Sequence, residues 1–297
     1  MFPTAGFIVR ESEVMSDSPL ISINIPTLNS EKTLAKTLES VKAQSYKNLE
    51  VLVIDNGSAD NTTEIAQEFE AKVLINHGSL LESRCIGIGQ STGKFILLLD
   101  SDQILESDVI YRSFDLSMRQ NVDYLFLEER AFDVRRLFQR LYNSDRTIVQ
   151  SAERGGHEDY LAGNSLPRFF KASLIKRAID HIPQSVKSSI VYRDHAVLYF
   201  EVGMLSDQFS WIDDAIYHNE NTSMKSLLLK HFRYGIDDRL LSRSSRYADL
   251  VRRKRRGRLI ISRRETLKDN LYSILLTVLK GIPYAVGYYA YSSPNDL

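Results

Sequence analysis

Four apolar runs, at residues 20–25, 49–54, 72–75 and 95–99, alternate with three segments of helical periodicity. This alternation restricts the fold more than any other feature of the chain. Leu34, Leu38 and Val41 follow the first run at spacings of four and three, Ile65 and Phe69 follow the second, and residues 79–91 form a third helical stretch carrying Arg84. Such spacing gathers apolar side chains on one helix face. Strand–helix alternation implies right-handed crossovers and a mostly parallel sheet flanked by helices, an α/β fold. The fourth run, Phe95 to Leu99, is unbroken, as expected of a strand buried on both faces. It stops at Asp100, Ser101 and Asp102. Ser30 and Asp60 stand where they can cap the first two helices.

Ligands of open α/β sheets sit at the carboxyl ends of the strands. Here those ends carry Pro26 to Asn29, Asp55 with Asn56, and Asp100 to Asp102. Two carboxylates one residue apart can hold a divalent cation against a substrate diphosphate. Alone, the same pair reads as an ordinary helix-capping turn. No Gly-x-Gly-x-x-Gly follows the first strand, and Gly87 and Gly89 lie inside a helical stretch, the wrong place for a dinucleotide fingerprint. Gly93 and Lys94 precede Phe95 rather than a hydroxyl residue, so no Walker-type phosphate loop is present. Cys85 is the only cysteine, which excludes an intrachain disulfide and fits a reducing compartment. Residues 1–19 contain Glu11, Glu13 and Asp17 and no apolar core of signal-peptide length, and are expected to be a tail. The C-terminal segment excepted, no uninterrupted apolar run has transmembrane length.

Ile25 to Asn29, Val53 to Thr62, Arg84 and Leu98 to Asp102 together resemble the family 2 glycosyltransferases of the GT-A fold, in order and spacing, over residues 20–111. The resemblance implies a transferase domain at 20–225, with a nucleotide-sugar half at 20–120 and an acceptor half at 121–225. It implies transfer of a sugar from a nucleotide-diphosphate donor with inversion, assisted by Mn²⁺ or Mg²⁺. It places Pro26, Thr27, Asn29 and Glu31 against the nucleoside. It gives Asp55 a hydrogen bond from the base, and a carboxylate suits the N–H of uracil or guanine. Arg84 falls near the base or diphosphate, Asp100 with Ser101 near ribose or metal, and Asp102 on the cation. Asn56 and Cys85 depart from the family pattern, where aspartate and asparagine are common.

In the second half a helix is expected at 107–119, a strand at 122–127 and a helix at 132–142. Residues 151–164 are polar and Gly-rich, as a mobile loop over a site would be. Arg168, Phe169 and Phe170 are similar to segments that line the sugar pocket in the family. Arg168 is a candidate for the donor diphosphate or sugar, with packing of its stem over Phe169 the alternative. An inverting transfer needs one carboxylate to take the acceptor's proton. The family's acidic pair is matched here by Arg193 and Asp194, which implies Asp194 as that base; it could also cap the following helix. His195 reads as structural. The resemblance puts His218 beside the metal or diphosphate, where a neutral imidazole suits a Mn²⁺-type ion. His77, His157, His181 and His231 show no ligand spacing.

Residues 226–297 read as a helical extension. From Lys230 to Lys268 there are fourteen Lys or Arg against four Asp or Glu, although the whole chain is neutral. Leu271 to Leu279 is apolar, Lys280 interrupts it, and 282–291 continues it with four tyrosines. A basic run beside an apolar, Tyr-rich segment suits a peripheral membrane contact through 252–291, on the cytoplasmic face. A helical hairpin packed on the protein is the alternative. No helix-turn-helix, zinc or RRM signature supports a nucleic-acid partner. The expected activity is metal-assisted, inverting glycosyl transfer to a glycan or lipid-linked acceptor. A nucleotidyltransferase would instead show a Gly-rich phosphate loop near the first strand. A non-catalytic nucleotide-sugar binder would have lost Asp102 or Asp194.

Overall fold

The computed structural model describes residues 18–132, 134–135, 137–154, 167–218, 223–255 and 266–290. The alternation of the first hundred residues appears as β1 (Ile21–Thr27), α1 (Leu34–Lys42), β2 (Leu49–Asp55), α2 (Thr62–Glu68), β3 (Lys72–Ile75), α3 (Leu80–Gln90) and β4 (Phe95–Leu98). Every residue of β1 and β4 is buried, so both strands lie inside the sheet with helices on each side. Ser79 caps α3 by accepting from the Glu82 N–H, and Asp60 accepts from the Thr62 N–H at the start of α2. Ser30 does not cap α1 with its side chain. Its carbonyl accepts from Thr33 and Leu34, and its hydroxyl turns to Ser101.

The chain continues through β5 (Gln103–Leu105), α4 (Val109–Gln120), β6 (Tyr124–Ala131), α5 (Leu137–Arg154), β7 (Pro167–Lys171), α6 (Ala172–Asp180), α7 (Gln184–Lys187), α8 (Asp194–Gly203), β8 (Phe209–His218), α9 (Met224–Arg243), α10 (Ala248–Arg255) and α11 (Leu267–Ala290). One eight-stranded sheet has the order β3-β2-β1-β4-β7-β6-β8-β5. The pairs β1/β2, β1/β4, β2/β3 and β6/β8 are parallel, while β7 and β5 join their neighbours antiparallel.

Element limits in the second half differ from the sequence expectation. β6 runs to Ala131 and α5 begins only at Leu137. The three arginines at 135–140 mimic an amphipathic helix, but Arg140 donates to the carbonyls of Val134 and Arg135 and closes the turn before α5. The helix then continues to Arg154, so the expected loop starts later, and its remainder, 155–164, lies outside the described residues.

The C-terminal helices pack on the sheet domain. Tyr247, Leu250, Val251 and Tyr288 enter the core shared with α6 and α8. Leu141, Leu227 and Leu276 join α5, α9 and α11 in a second cluster. Lys280 does not interrupt an apolar face. It points inward to Asp145 at 2.7 Å, and α11 runs through it and through Pro283 without a break. α9 and α11 cross in backbone contact: a Cβ on Gly287 would stand 1.9 Å from the Phe232 carbonyl oxygen, and one on Gly235 2.2 Å from that of Tyr284. The opposite face of α11 exposes Leu267, Leu271, Leu275, Val278, Ile282, Val286 and Tyr289.

Candidate active site

Sheet register brings the polar strand ends together. Thr27 pairs with Asp55, and Asp55 with Ile75, so β1, β2 and β3 end level. The Thr27 hydroxyl donates to Asp55 Oδ1 at 2.9 Å, and the N–H groups of Gly57 and Ser58 donate to Oδ2 at 3.1 and 2.8 Å. The Ser58 hydroxyl also donates to Oδ1. Asp55 is 1% exposed. Its oxygens therefore hold a turn in which Gly57 has φ +79°, a conformation that favours glycine. Asn29, at φ +50°, accepts from the Ala59 N–H at 2.9 Å, and its own N–H donates to Ser58 Oγ at 2.8 Å. The Glu31 N–H donates to Asp60, and its carboxylate accepts from the Asn61 amide at 3.2 Å. Pro26, Thr27, Asn29, Glu31 and Asp55 thus share one stitched pair of loops at the sheet edge.

A second group surrounds Arg84, which α3 carries beneath the end of β4. Its Nε donates to Asp194 and its Nη2 to Asp100, and the residue is 2% exposed. β7 runs antiparallel to β4 with Leu97 opposite Phe169, which sets Arg168 beside the turn after Leu98. Arg168 Nη1 lies 2.9 Å from Asp100 Oδ2 and 3.1 Å from His195 Nε2. Its Nη2 and Nε donate to Glu129 Oε1 at 2.6 and 3.0 Å. Arg168 therefore grips two carboxylates instead of only packing its stem over Phe169. Glu129 reaches this point through an irregularity in the β6/β8 ladder between Leu127 and Glu129, the kind of strand defect that re-aims a side chain.

Charge explains the arrangement. Burial opposes ionisation of Asp100, but Arg168 and Arg84 hold it well below the usual carboxylate range. Burial likewise opposes ionisation of Glu129, and Arg168 and Arg146 bring it down to about 2. Burial, with Arg84 and Arg168 nearby, lowers His195, so its imidazole is neutral at pH 7 and Nε2 accepts from Arg168. Burial pushes the Cys85 thiol up to about 12, leaving a protonated packing group beside Arg84.

A third pair completes the edge. β5 and β8 are antiparallel with Gln103 opposite His218, and His218 Nε2 lies 3.4 Å from Asp102 Oδ1. The Asp102 side chain is 38% exposed and that of His218 13%, so the pair faces outward. Ser101 points the other way, to Ser30 Oγ at 2.9 Å. Among the described residues no three His, Cys, Asp or Glu side chains gather as a metal cage. One carboxylate and one imidazole do fit a cation shared with substrate phosphates, since small hard cations keep few protein ligands in such sites.

A family model described as "Glycosyl transferase family 2" matches residues 22–179, more than half of the chain. The chain belongs to glycosyl transferase family 2. The match covers less than half the length of its curated relatives. One is the Escherichia coli UDP-Glc:alpha-D-GlcNAc-diphosphoundecaprenol beta-1,3-glucosyltransferase WfgD, 31% identical over 115 residues, 37% of this chain and 46% of that one. Among solved structures, S. aureus TarS 1-349 in complex with UDP-GlcNAc superposes with TM-score 0.54 at 17% identity, covering 90% of this chain and 81% of that one. Glucosyl-3-phosphoglycerate synthase from Mycobacterium tuberculosis, in complex with Mn²⁺, UDP and phosphoglyceric acid, does so with TM-score 0.55 at 17% identity, covering 82% and 84%. These likenesses establish the α/β fold of a family 2 member with a C-terminal helical extension.

Glu129 is the site residue that sequence reasoning overlooks; His195, read as structural, accepts from Arg168 within the same group. A visible signal for Glu129 is an acidic pair, Glu128 and Glu129, directly after the apolar start of a strand.

Proposed function

We propose that this family 2 protein transfers a sugar, with inversion, from a nucleotide-diphosphate donor to a glycan or lipid-linked acceptor. The observation carrying the reading is that Asp102 with His218, and Asp194, flank one buried chain of ion pairs at the carboxyl edge of the sheet. The stitched loops of Thr27, Asn29, Glu31 and Asp55 form the nucleoside side, with Asp55 holding their shape. Asp102 and His218 would hold a divalent cation. When bound, a divalent cation neutralises charge on the departing diphosphate. Asp194 takes the acceptor's proton as its oxygen attacks the anomeric carbon. Arg84 orients Asp194 and ties it to Asp100, while Arg168 and Glu129 fix Asp100 from the other side.

Residues 20–225 form the transferase unit and 226–297 the extension. The E. coli relative, a UDP-Glc:alpha-D-GlcNAc-diphosphoundecaprenol glucosyltransferase, and the S. aureus poly(ribitol-phosphate) transferase TarS, solved with UDP-GlcNAc, support a UDP-sugar donor and a surface-glycan acceptor. The exposed apolar face of α11, preceded by the basic run 252–264, supports peripheral contact with the cytoplasmic face of a membrane.

A thermal-shift screen of UDP-, GDP-, dTDP- and CDP-sugars with and without Mn²⁺ tests the donor assignment, because a ligand of the folded state raises its apparent stability. A metal-dependent shift with one nucleotide is expected; no shift with any of them rejects it. Flotation with anionic phosphatidylglycerol vesicles tests the membrane contact. Leu271→Ser with Ile282→Ser should abolish binding, and an unmodified chain that never floats rejects it.

A further inference from the structure

We infer that Asp237 and Asp238 of α9 are positioning residues for Asp194, an inference that rests on the role proposed for Asp194. Both lie outside the segment matched by the family model. Asp237 Oδ2 accepts from three successive backbone N–H groups, those of Val191 (3.1 Å), Tyr192 and Arg193 (3.0 Å). Consecutive amides converging on one point form an anion nest, and here the anion is a side chain of the same protein. Asp238 takes the Arg193 guanidinium in a two-point grip, with Nε and Nη2 each at 2.7 Å. Two parallel charge-assisted bonds fix orientation as well as distance. The Tyr284 hydroxyl of α11 donates to the same carboxylate at 2.8 Å.

The three residues immediately before Asp194 are therefore held by α9, and Asp194 itself is the first residue of α8. The Arg193 guanidinium also lies 4.4 Å from the centre of the Tyr234 ring of α9. Asp237 and Asp238 are 4% and 1% exposed. Burial raises Asp237 to about 6 against the pull of its three amide bonds. A buried carboxylate retained under that penalty suits a holding role. The loop leading into Asp194 thus takes its place from the C-terminal extension, while the donor side takes its place from β1, β2 and β4.

The test uses the full chain with Asp237→Ala, Asp237→Asn and Asp238→Asn. Readouts are backbone hydrogen exchange at 191–193 and nucleotide release from UDP-glucose, UDP-N-acetylglucosamine and GDP-mannose with Mn²⁺, separated into kcat and KM. Asp237→Ala should free the three amides and lower kcat by about a hundredfold, the scale of a misplaced catalytic group. Donor KM should stay within about twofold, because ground-state binding is untouched. Asp237→Asn keeps an acceptor oxygen and should restore both protection and most of kcat. If Asp237→Ala does not fold, Asp238→Asn, which keeps the side-chain volume, should lower kcat about tenfold with unchanged KM. Freed amides with unchanged kcat, or a loss confined to KM, overturn the inference. A wild-type chain that releases nucleotide from none of the three donors overturns the transferase reading itself, and this inference with it.

Discussion

His218 Nε2 stands 3.4 Å from Asp102 Oδ1 because β5 and β8 pair antiparallel with Gln103 opposite His218. One residue leaves the turn after β4 and the other closes β8, so the pair links the two ends of the transferase unit. Asp102→Ala and His218→Ala should each weaken Mn²⁺ binding in the presence of UDP by about tenfold or more, or about 1.4 kcal/mol. Titration calorimetry measures this. Stability should change by less than about 1 kcal/mol, since the pair is partly solvated. Unchanged Mn²⁺ affinity in both variants would remove the metal assignment.

Arg84 answers two carboxylates at once, Asp194 and Asp100, and shares the second with Arg168. Arg84→Met leaves Asp194 facing an apolar side chain, while Asp100 keeps Arg168. Breaking a buried pair from one side costs about 3–5 kcal/mol, and urea unfolding should show a loss of that order. Asp194→Asn keeps an acceptor for Arg84 and removes the base. It should unfold close to wild type yet lose about 10²–10⁴-fold in kcat. A melted Asp194→Asn protein would mean that the carboxylate serves the fold first.

Glu129 carries a pH signature. Its folded value of about 2 lies below the ordinary 4.5, so the unfolded chain binds the proton more readily. The stability it contributes is present above about pH 4.5 and is lost as pH falls toward 2. Glu129→Gln should therefore be less stable than wild type at pH 7 by about 3 kcal/mol. The gap should be constant from pH 7 to 5 and narrow below about 4.5 in urea titrations. A gap that widened on acidification would show that Glu129 is not held ionised by Arg168.

Two glycines of α11 separate packing from propensity. Gly281 has no neighbour within 4 Å of a built Cβ, so Gly281→Ala should stabilise the helix by about 0.4–1 kcal/mol. Gly287 abuts the Phe232 backbone, and Gly287→Ala must push α9 and α11 apart at a cost of about 1–3 kcal/mol. Thermal melting of the two variants in parallel should move in opposite directions. Equal shifts would mean that the crossing is loose.

The first hundred residues were legible because local pattern and tertiary role coincide there. The strands β1 and β4 are buried on both faces and read as unbroken apolar runs, whereas Ser30, expected to cap α1, turns its hydroxyl to Ser101. The second half was less legible where contacts across the sheet decide. The turn before α5 is closed from within the helix, by the Arg140 side chain on the carbonyls of Val134 and Arg135, which no periodicity reveals. Glu129 joins the site through an irregular ladder, and Arg168 acquires two carboxylate partners from β4 and β6. Lys280 read as a break in an apolar segment because its partner, Asp145, is far away in the chain. His195 reads as structural, and burial beside two arginines makes it a neutral acceptor for Arg168.

The exposed side chains of α11 recur at 267, 271, 275, 278, 282, 286 and 289. Their steps repeat after eleven residues, not seven. A seven-residue repeat winds left-handed around a helix and asks for a second helix wound about it, whereas an eleven-residue repeat drifts slightly the other way. The ridge on α11 is thus out of step with a leucine-zipper type of partner. It runs nearly parallel to its own axis, a shape that lies down on a plane as a keel rests on a slipway.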